Sequence, residues 1–236
     1  MRRQIHRTGT NAEKGMDIDM KNILCKELRL AALPLTYFFI AAAFLAFVPG
    51  YPILLGAFFT TLGIFYSFQT MRENGDIGYS LLLPIAKSDV VKGKFAFTVA
   101  LELCSFVIMT AVTLVRMAFL SDAGVYTSNA LMGANLTFLG YALTVFGVFN
   151  LIFVGGFFKT AYYYGRPFVF YCVAAFIIIT AAESLRHFPN TEALYSLGFE
   201  NVLPQALFLV CGAALGTALT LLAVDLSVKR FESTDL

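Results

Sequence analysis

The chain has no tryptophan and two histidines, and only 14% of its 236 residues are charged. Both histidines lie outside the apolar segments: His6 in the polar start of the chain, His187 in a polar stretch between two of them. A zinc site needs imidazole and carboxylate ligands at helical spacing, and serine chemistry needs a base. The sequence therefore argues against an enzyme, and identifies no catalytic residue and no metal ligand set. A G-x-x-x-x-G-K-[ST] phosphate loop is also missing, because Gly93-Lys94 is followed by Phe95 and has no upstream glycine. No cofactor is expected on this chain, and nothing points to nucleic acid. Of the four cysteines, Cys25 precedes the first apolar segment, while Cys104, Cys172 and Cys211 lie within such segments. None falls in an expected outer loop, so they read as small core hydrophobes and not as a disulfide framework. The first 19 residues, MRRQIHRTGTNAEKGMDID, lack the apolar core of a signal peptide and read as a disordered tail, with Met16 and Met20 as alternative starts.

Apolar residues are abundant. They fill 58% of the positions, including 25 phenylalanines, against about 45–50% in ordinary soluble domains. A soluble domain of this length has too little interior for them, which predicts an all-α, polytopic membrane protein. A bilayer crossing takes about 20 apolar residues. Six segments approach or reach that length, at about 33–48, 52–70, 95–120, 131–158, 167–182 and 204–226, and together they predict one membrane domain over 20–230 with a tail at 231–236. Pro49-Gly50-Tyr51-Pro52 makes a tight turn between the first two. Residues 21–32 read as an amphipathic helix in the headgroup layer, or as an extension of the first span. Segment 183–203 reads as one or two short interfacial helices.

Positive charge sets the orientation. Fifteen of the seventeen lysines and arginines fall in the N-terminal region, the segments after spans two and four, and the C-terminal tail. Only Arg116 and Arg186 fall on the other side. Both termini and the 72–94 segment are therefore expected in the cytoplasm.

Segment 72–94 is the only long charged stretch between the first and last apolar segments. Asp76 begins an apolar run that ends at Pro84, and Ser88-Asp89 offers a second helix start before a basic stretch. This pattern predicts a short helix lying under the membrane, or a solvated connector whose leucines touch headgroups. The stretch containing Glu73, Gly75, Tyr79, Ser80, Leu82, Leu83, Pro84, Ile85, Asp89, Val90, Val91, Gly93 and Lys94 resembles the corresponding loop of ABC-2 type transporter permease subunits. The resemblance runs from about Met20 to Arg230. It implies a type-2 ABC exporter fold with six spans and an N-terminal elbow helix, in a bacterial cytoplasmic membrane. It also implies a coupling role for Glu73, Asp76, Tyr79, Leu82, Leu83, Pro84, Asp89 and Lys94 against a separate ABC ATPase subunit, which supplies ATP and Mg. A second permease subunit, identical or a paralogue, completes the resemblance. The cargo path between the two would be lined by spans two and five, here by Phe58, Thr61, Phe65, Tyr171, Phe176 and Thr180. The cargo class it suggests is hydrophobic or amphipathic, such as a peptide. In that setting Tyr162, Tyr163 and Tyr164 read as a minor ATPase contact or as interface anchors.

Other positions carry weaker signals. Glu102 reads as a proton-relay or cargo-contact group, or as a carboxylate that faces the bundle or snorkels. Asp225 and Lys229 read as a helix-end ion pair. Gly212-x-x-x-Gly216, and the glycine pairs 56/63 and 140/147, suit close helix crossings. An ion- or proton-coupled secondary transporter is the alternative function, although such proteins carry paired carboxylates or inverted repeats that this sequence does not display.

Overall fold

The computed structural model describes residues 34–76, 78, 86–159 and 163–233. Among them all regular structure is helical. Helix α1, Pro34–Ala41, runs into a 3-10 segment at Ala42–Phe47. It is followed by α2 (Leu55–Glu73), α3 (Lys87–Phe119), the short α4 (Gly124–Thr127) and α5 (Leu136–Phe149). A π-helical turn at Asn150–Val154 joins α5 to α6 (Gly155–Lys159). Helices α7 (Gly165–Leu185), α8 (Glu192–Tyr195) and α9 (Val202–Glu232) complete the bundle.

Four of these stretches are long and apolar enough to cross a membrane: Lys87–Phe119, Leu136–Lys159, Gly165–Leu185 and Val202–Glu232. Pro34–Phe47 is apolar but shorter. Helix α2 is long enough at 19 residues, yet Thr60, Thr61, Ser67, Gln69 and Arg72 dilute its apolar character. Three of those polar groups are satisfied inside the bundle. Thr60 Oγ1 donates to the Gly56 carbonyl, so its 2.7 Å contact with Ser105 has the serine as donor. Ser67 Oγ meets Thr36 of α1 at 2.7 Å, and Thr61 meets Tyr171 of α7. Burying these hydroxyls in pairs removes the desolvation penalty that a lone one would carry.

Several expected boundaries move. Helix α3 begins at Lys87, eight residues before the expected span, so Asp89 and Lys94 belong to its first turns and not to a separate loop. Ser88 is not its cap; Ala86 occupies that position without a side-chain hydrogen bond. Helix α9 continues to Glu232, into the expected tail. The turn after the 3-10 segment does occur where Pro49-Gly50 predicts it, with Gly50 at φ +72°, a conformation that favours glycine. The tail 1–19, the elbow 21–32 and Tyr162 lie outside the described residues.

The helix ends remote from the 72–94 segment are tied by polar contacts. Arg116 donates from Nη1 to the Ala46 carbonyl at 2.5 Å, and its guanidinium lies 4.1 Å from the ring of Tyr126. The Tyr126 hydroxyl in turn donates to the Phe47 carbonyl. Asn135 caps α5 by accepting from the Phe138 amide, and donates to the Leu194 carbonyl. Gln205 donates to the Ser196 carbonyl, and Glu183 accepts from the Met132 amide at 2.7 Å. The segment between α7 and α9 is therefore fastened to the bundle, with α8 as its one short helix among the described residues.

The tightest crossing is α5 on α9. A Cβ added to Gly147 would lie 2.6 Å from Gly216 Cα, one on Gly212 would lie 2.4 Å from the Gly140 carbonyl oxygen, and one on Gly216 would lie 2.5 Å from that of Leu143. The two backbones touch where Gly212 and Gly216 face Gly140 and Gly147, so dispersion over a long contact replaces the hydrophobic drive that lipid does not supply.

Candidate functional site

At the end where α2 and α3 approach the 72–94 segment, Lys94 is completely buried. Its ammonium forms a salt bridge with Asp76 and lies 3.1 Å from Met71 Sδ. Asp76 itself is largely shielded, with 19% of its side chain exposed. This pair joins the chain just past α2 to the second turn of α3. Lys94 is among the residues to which the resemblance gives a coupling role; it is buried, and its pair with Asp76 joins the two ends of the segment. Glu73 is exposed and accepts from Gln69 Nε2 at 3.0 Å, on its own helix. Asp89 is 4.0 Å from Lys92, also on its own helix. Tyr79, Leu82, Leu83 and Pro84 lie outside the described residues. Arg72 places its guanidinium 5.4 and 5.1 Å from the rings of Tyr163 and Tyr164, which brings the segment after α6 beside the end of α2.

The residues expected along a cargo path divide into three groups. Phe58, Thr61, Tyr171 and Phe176 come together: the Phe58 ring is 6.1 Å from Tyr171 and 5.4 Å from Phe176. Thr61 Oγ1 donates to the Phe58 carbonyl at 2.7 Å, so the 2.6 Å contact with Tyr171 has the tyrosine as donor. Thr61 and Tyr171 are both fully buried. Phe65 belongs to a second aromatic cluster, stacked at 3.9 Å on Phe168 and edge-on to Phe153. Thr180 lies on the exposed face of α7, in line with Phe176 of the first group and Phe168 of the second. There Phe168, Cys172, Phe176, Thr180 and Ser184, at four-residue steps along α7, line an open groove of about 860 Å³. Val169, Phe170, Val173 and Ile177 beside it are exposed.

A third constellation was only half legible in the sequence. Glu102 is 5% exposed, which excludes snorkelling and places it toward the bundle. Its Oε2 accepts from Asn150 Nδ2 at 3.0 Å, and the same amide reaches Thr220 Oγ1 at 3.1 Å. Helices α3, α5 and α9 thus converge on Asn150, the residue that opens the π turn. A π turn is uncommon and tends to occur at functional sites. Asn150 and Thr220 were not singled out from the sequence; the available signal was an amide in the apolar run Val145–Val154. Among the described residues, no group of histidines, cysteines and acids is arranged to hold a metal.

No curated protein and no solved structure matches the chain. The family described as ABC-2 family transporter protein matches residues 19–232. That match takes in the α2–α3 junction, the aromatic contact of α2 with α7 and the crossing of α5 on α9. The chain therefore belongs to the ABC-2 family of transporter proteins, as a membrane subunit.

Proposed function

We propose that this chain is the permease of an ABC exporter that moves a hydrophobic or amphipathic cargo, best fitted by a peptide, across the bacterial cytoplasmic membrane. ATP and Mg are held by a separate ATPase subunit, and closure of that subunit is delivered through the segment between α2 and α3. The observation that carries this reading is the buried Lys94–Asp76 pair. A segment whose two ends are fastened to each other transmits a push to α2 and α3 together, where a slack connector would absorb it. Helix α2 then carries the motion to α7 through the Thr61–Tyr171 hydrogen bond and the Phe58 ring.

Two copies, identical or paralogous, complete the transporter in this reading, with the exposed groove of α7 facing the path between them. Its aromatic and apolar walls suit a greasy cargo better than a hydrated ion. Both termini and the coupling segment face the cytoplasm, as the distribution of lysine and arginine supports.

The test is association with the ATPase, together with its cargo-stimulated hydrolysis in proteoliposomes. Replacing Leu82, Leu83 and Pro84 together abolishes both if the segment is the contact. Undiminished association in that variant removes the coupling role. A proton-coupled carrier is the second reading, favoured by the buried carboxylate of Glu102; pH-gradient-driven transport by this chain alone in liposomes would establish it.

A further inference from the structure

Helices α3, α5 and α9 enclose a cleft of about 370 Å³. Its walls are almost wholly apolar, formed by Leu103, Phe106, Leu143, Phe146 and Leu221, with the glycine contact of Gly147 and Gly216 as its floor. Glu102, Thr217 and Thr220 are its polar side chains. Leu103 and Leu221 are more than half exposed, so the cleft is reached from the lipid side of the bundle.

Glu102 is more than nine-tenths buried, and its Oε1 has no hydrogen-bond partner, while Oε2 has one, from a neutral amide. Among the described residues no salt bridge to Glu102 is found; Asp89 of α3 is within 4.0 Å of Lys92, and Lys94 pairs with Asp76. The two buried cations of α3 are committed elsewhere: Lys94 to Asp76, about 12 Å back along the helix, and Arg116 to Ala46, about 21 Å ahead. An ionised carboxylate at this depth, with one oxygen unsatisfied, is costly unless a cation or a donor completes it or a proton neutralises it. The terminal torsion of a glutamate is soft, so a small rotation turns one oxygen to the cleft that the side chain lines.

From the juxtaposition of this half-satisfied carboxylate with an apolar cleft open to lipid, we propose that the cleft binds a lipophilic amine, its ammonium on Glu102 and its hydrocarbon body against Leu103, Phe106, Leu143 and Phe146. The ammonium supplies both the charge and the donor that Glu102 lacks, and a charge-assisted bond in low dielectric is stronger than one from a neutral hydroxyl. Asn150, whose amide also reaches Thr220, fixes the position of the carboxylate through Oε2. The site is separate from the cargo path proposed above and does not depend on coupling to an ATPase.

Photolabelling of the full chain in phosphatidylcholine nanodiscs tests the site, with a diazirine-bearing dodecylamine and the matching dodecanol as probes. The amine is expected to label α3 near Leu103 and α9 near Leu221, saturably, with labelling by the alcohol lower by about tenfold or more. Glu102→Gln is expected to bring the amine down to the level of the alcohol, leaving the alcohol unchanged. If that variant does not fold, Leu103→Trp decides, because it fills the cleft from an exposed position, keeps Glu102, and should abolish saturable labelling. Equal labelling by amine and alcohol, undiminished labelling in Glu102→Gln or Leu103→Trp, or labelling spread over all lipid-facing helices overturns the proposal. Absent labelling in a protein that Leu103→Trp converts from dimer to monomer also overturns it, and assigns the cleft to a second copy of the chain.

Discussion

Lys94 and Glu102 lie two turns apart on the same helix, both buried, and the bundle treats them in opposite ways. Lys94 is closed off within the chain: Asp76 supplies the counter-charge and Met71 packs against the ammonium. Glu102 receives one amide hydrogen bond, keeps an oxygen without a partner and borders a cleft. The difference is one of position and partner. Lys94 sits where α2 ends and the chain turns back, so a carboxylate from the turn is within reach. Glu102 sits opposite the end of α5 and the middle of α9, where glycine, leucine and phenylalanine are joined by a single amide and two threonines. A buried ion whose partner is present is a strut; one whose partner is missing is a place for something else to bind.

The contrast can be broken in four ways. The most damaging is Gly216→Val. Its Cβ would meet the Leu143 backbone oxygen at 2.5 Å, backbone that has no room to yield, so α5 and α9 separate and the floor of the Glu102 cleft is lost. At least about 3 kcal/mol of destabilisation is expected, visible as loss of the monodisperse peak in size-exclusion chromatography. Asp76→Asn comes next, leaving a fully buried ammonium without its counter-charge; about 3 kcal/mol is expected. Adding Lys94→Met should recover most of it in thermal unfolding, and failure to do so would mean that the pair is not a strut.

Thr61→Val should have a smaller effect. It removes the acceptor of the buried Tyr171 hydroxyl, at about 1 kcal/mol, and hydrogen exchange should rise in α2 and α7 while α5 and α9 stay protected. The smallest change in stability belongs to Glu102→Gln, within about 1 kcal/mol of the parent in thermal unfolding. The new amide can still accept from Asn150 Nδ2 and has its own donors for Asn150 Oδ1, which has no partner now. A large loss in Glu102→Gln alongside a small one in Asp76→Asn would invert the comparison.

Particular residues explain which features were legible. The turn at Pro49-Gly50 could be read because proline and glycine restrict the backbone locally, whatever surrounds them. The facing glycines of α5 and α9 could be read because four- and seven-residue spacings place small residues on one helical face. The start of α3 was legible to within two residues, because Ser88-Asp89 reads as a helix start and the helix begins at Lys87; only the cap differs, Ala86 taking that position without a side-chain hydrogen bond. The polar side of α2 was legible as a stripe, but not its three separate partners on α1, α3 and α7. Asn150 gave no pattern at all, since one amide in an apolar run has no period.

Composition alone settled that this chain is helical and built for a bilayer, because so much apolar surface has no other place to go and backbone polar groups in lipid must be satisfied within the segment. The resemblance to the ABC-2 family was carried by the order of the apolar segments and the residues between α2 and α3, and the family match over residues 19–232 agrees with it. Which buried charges are paired, which helices touch and where a cleft remains were decided only by the tertiary structure, because those facts depend on groups dozens of residues apart being brought within a few ångströms.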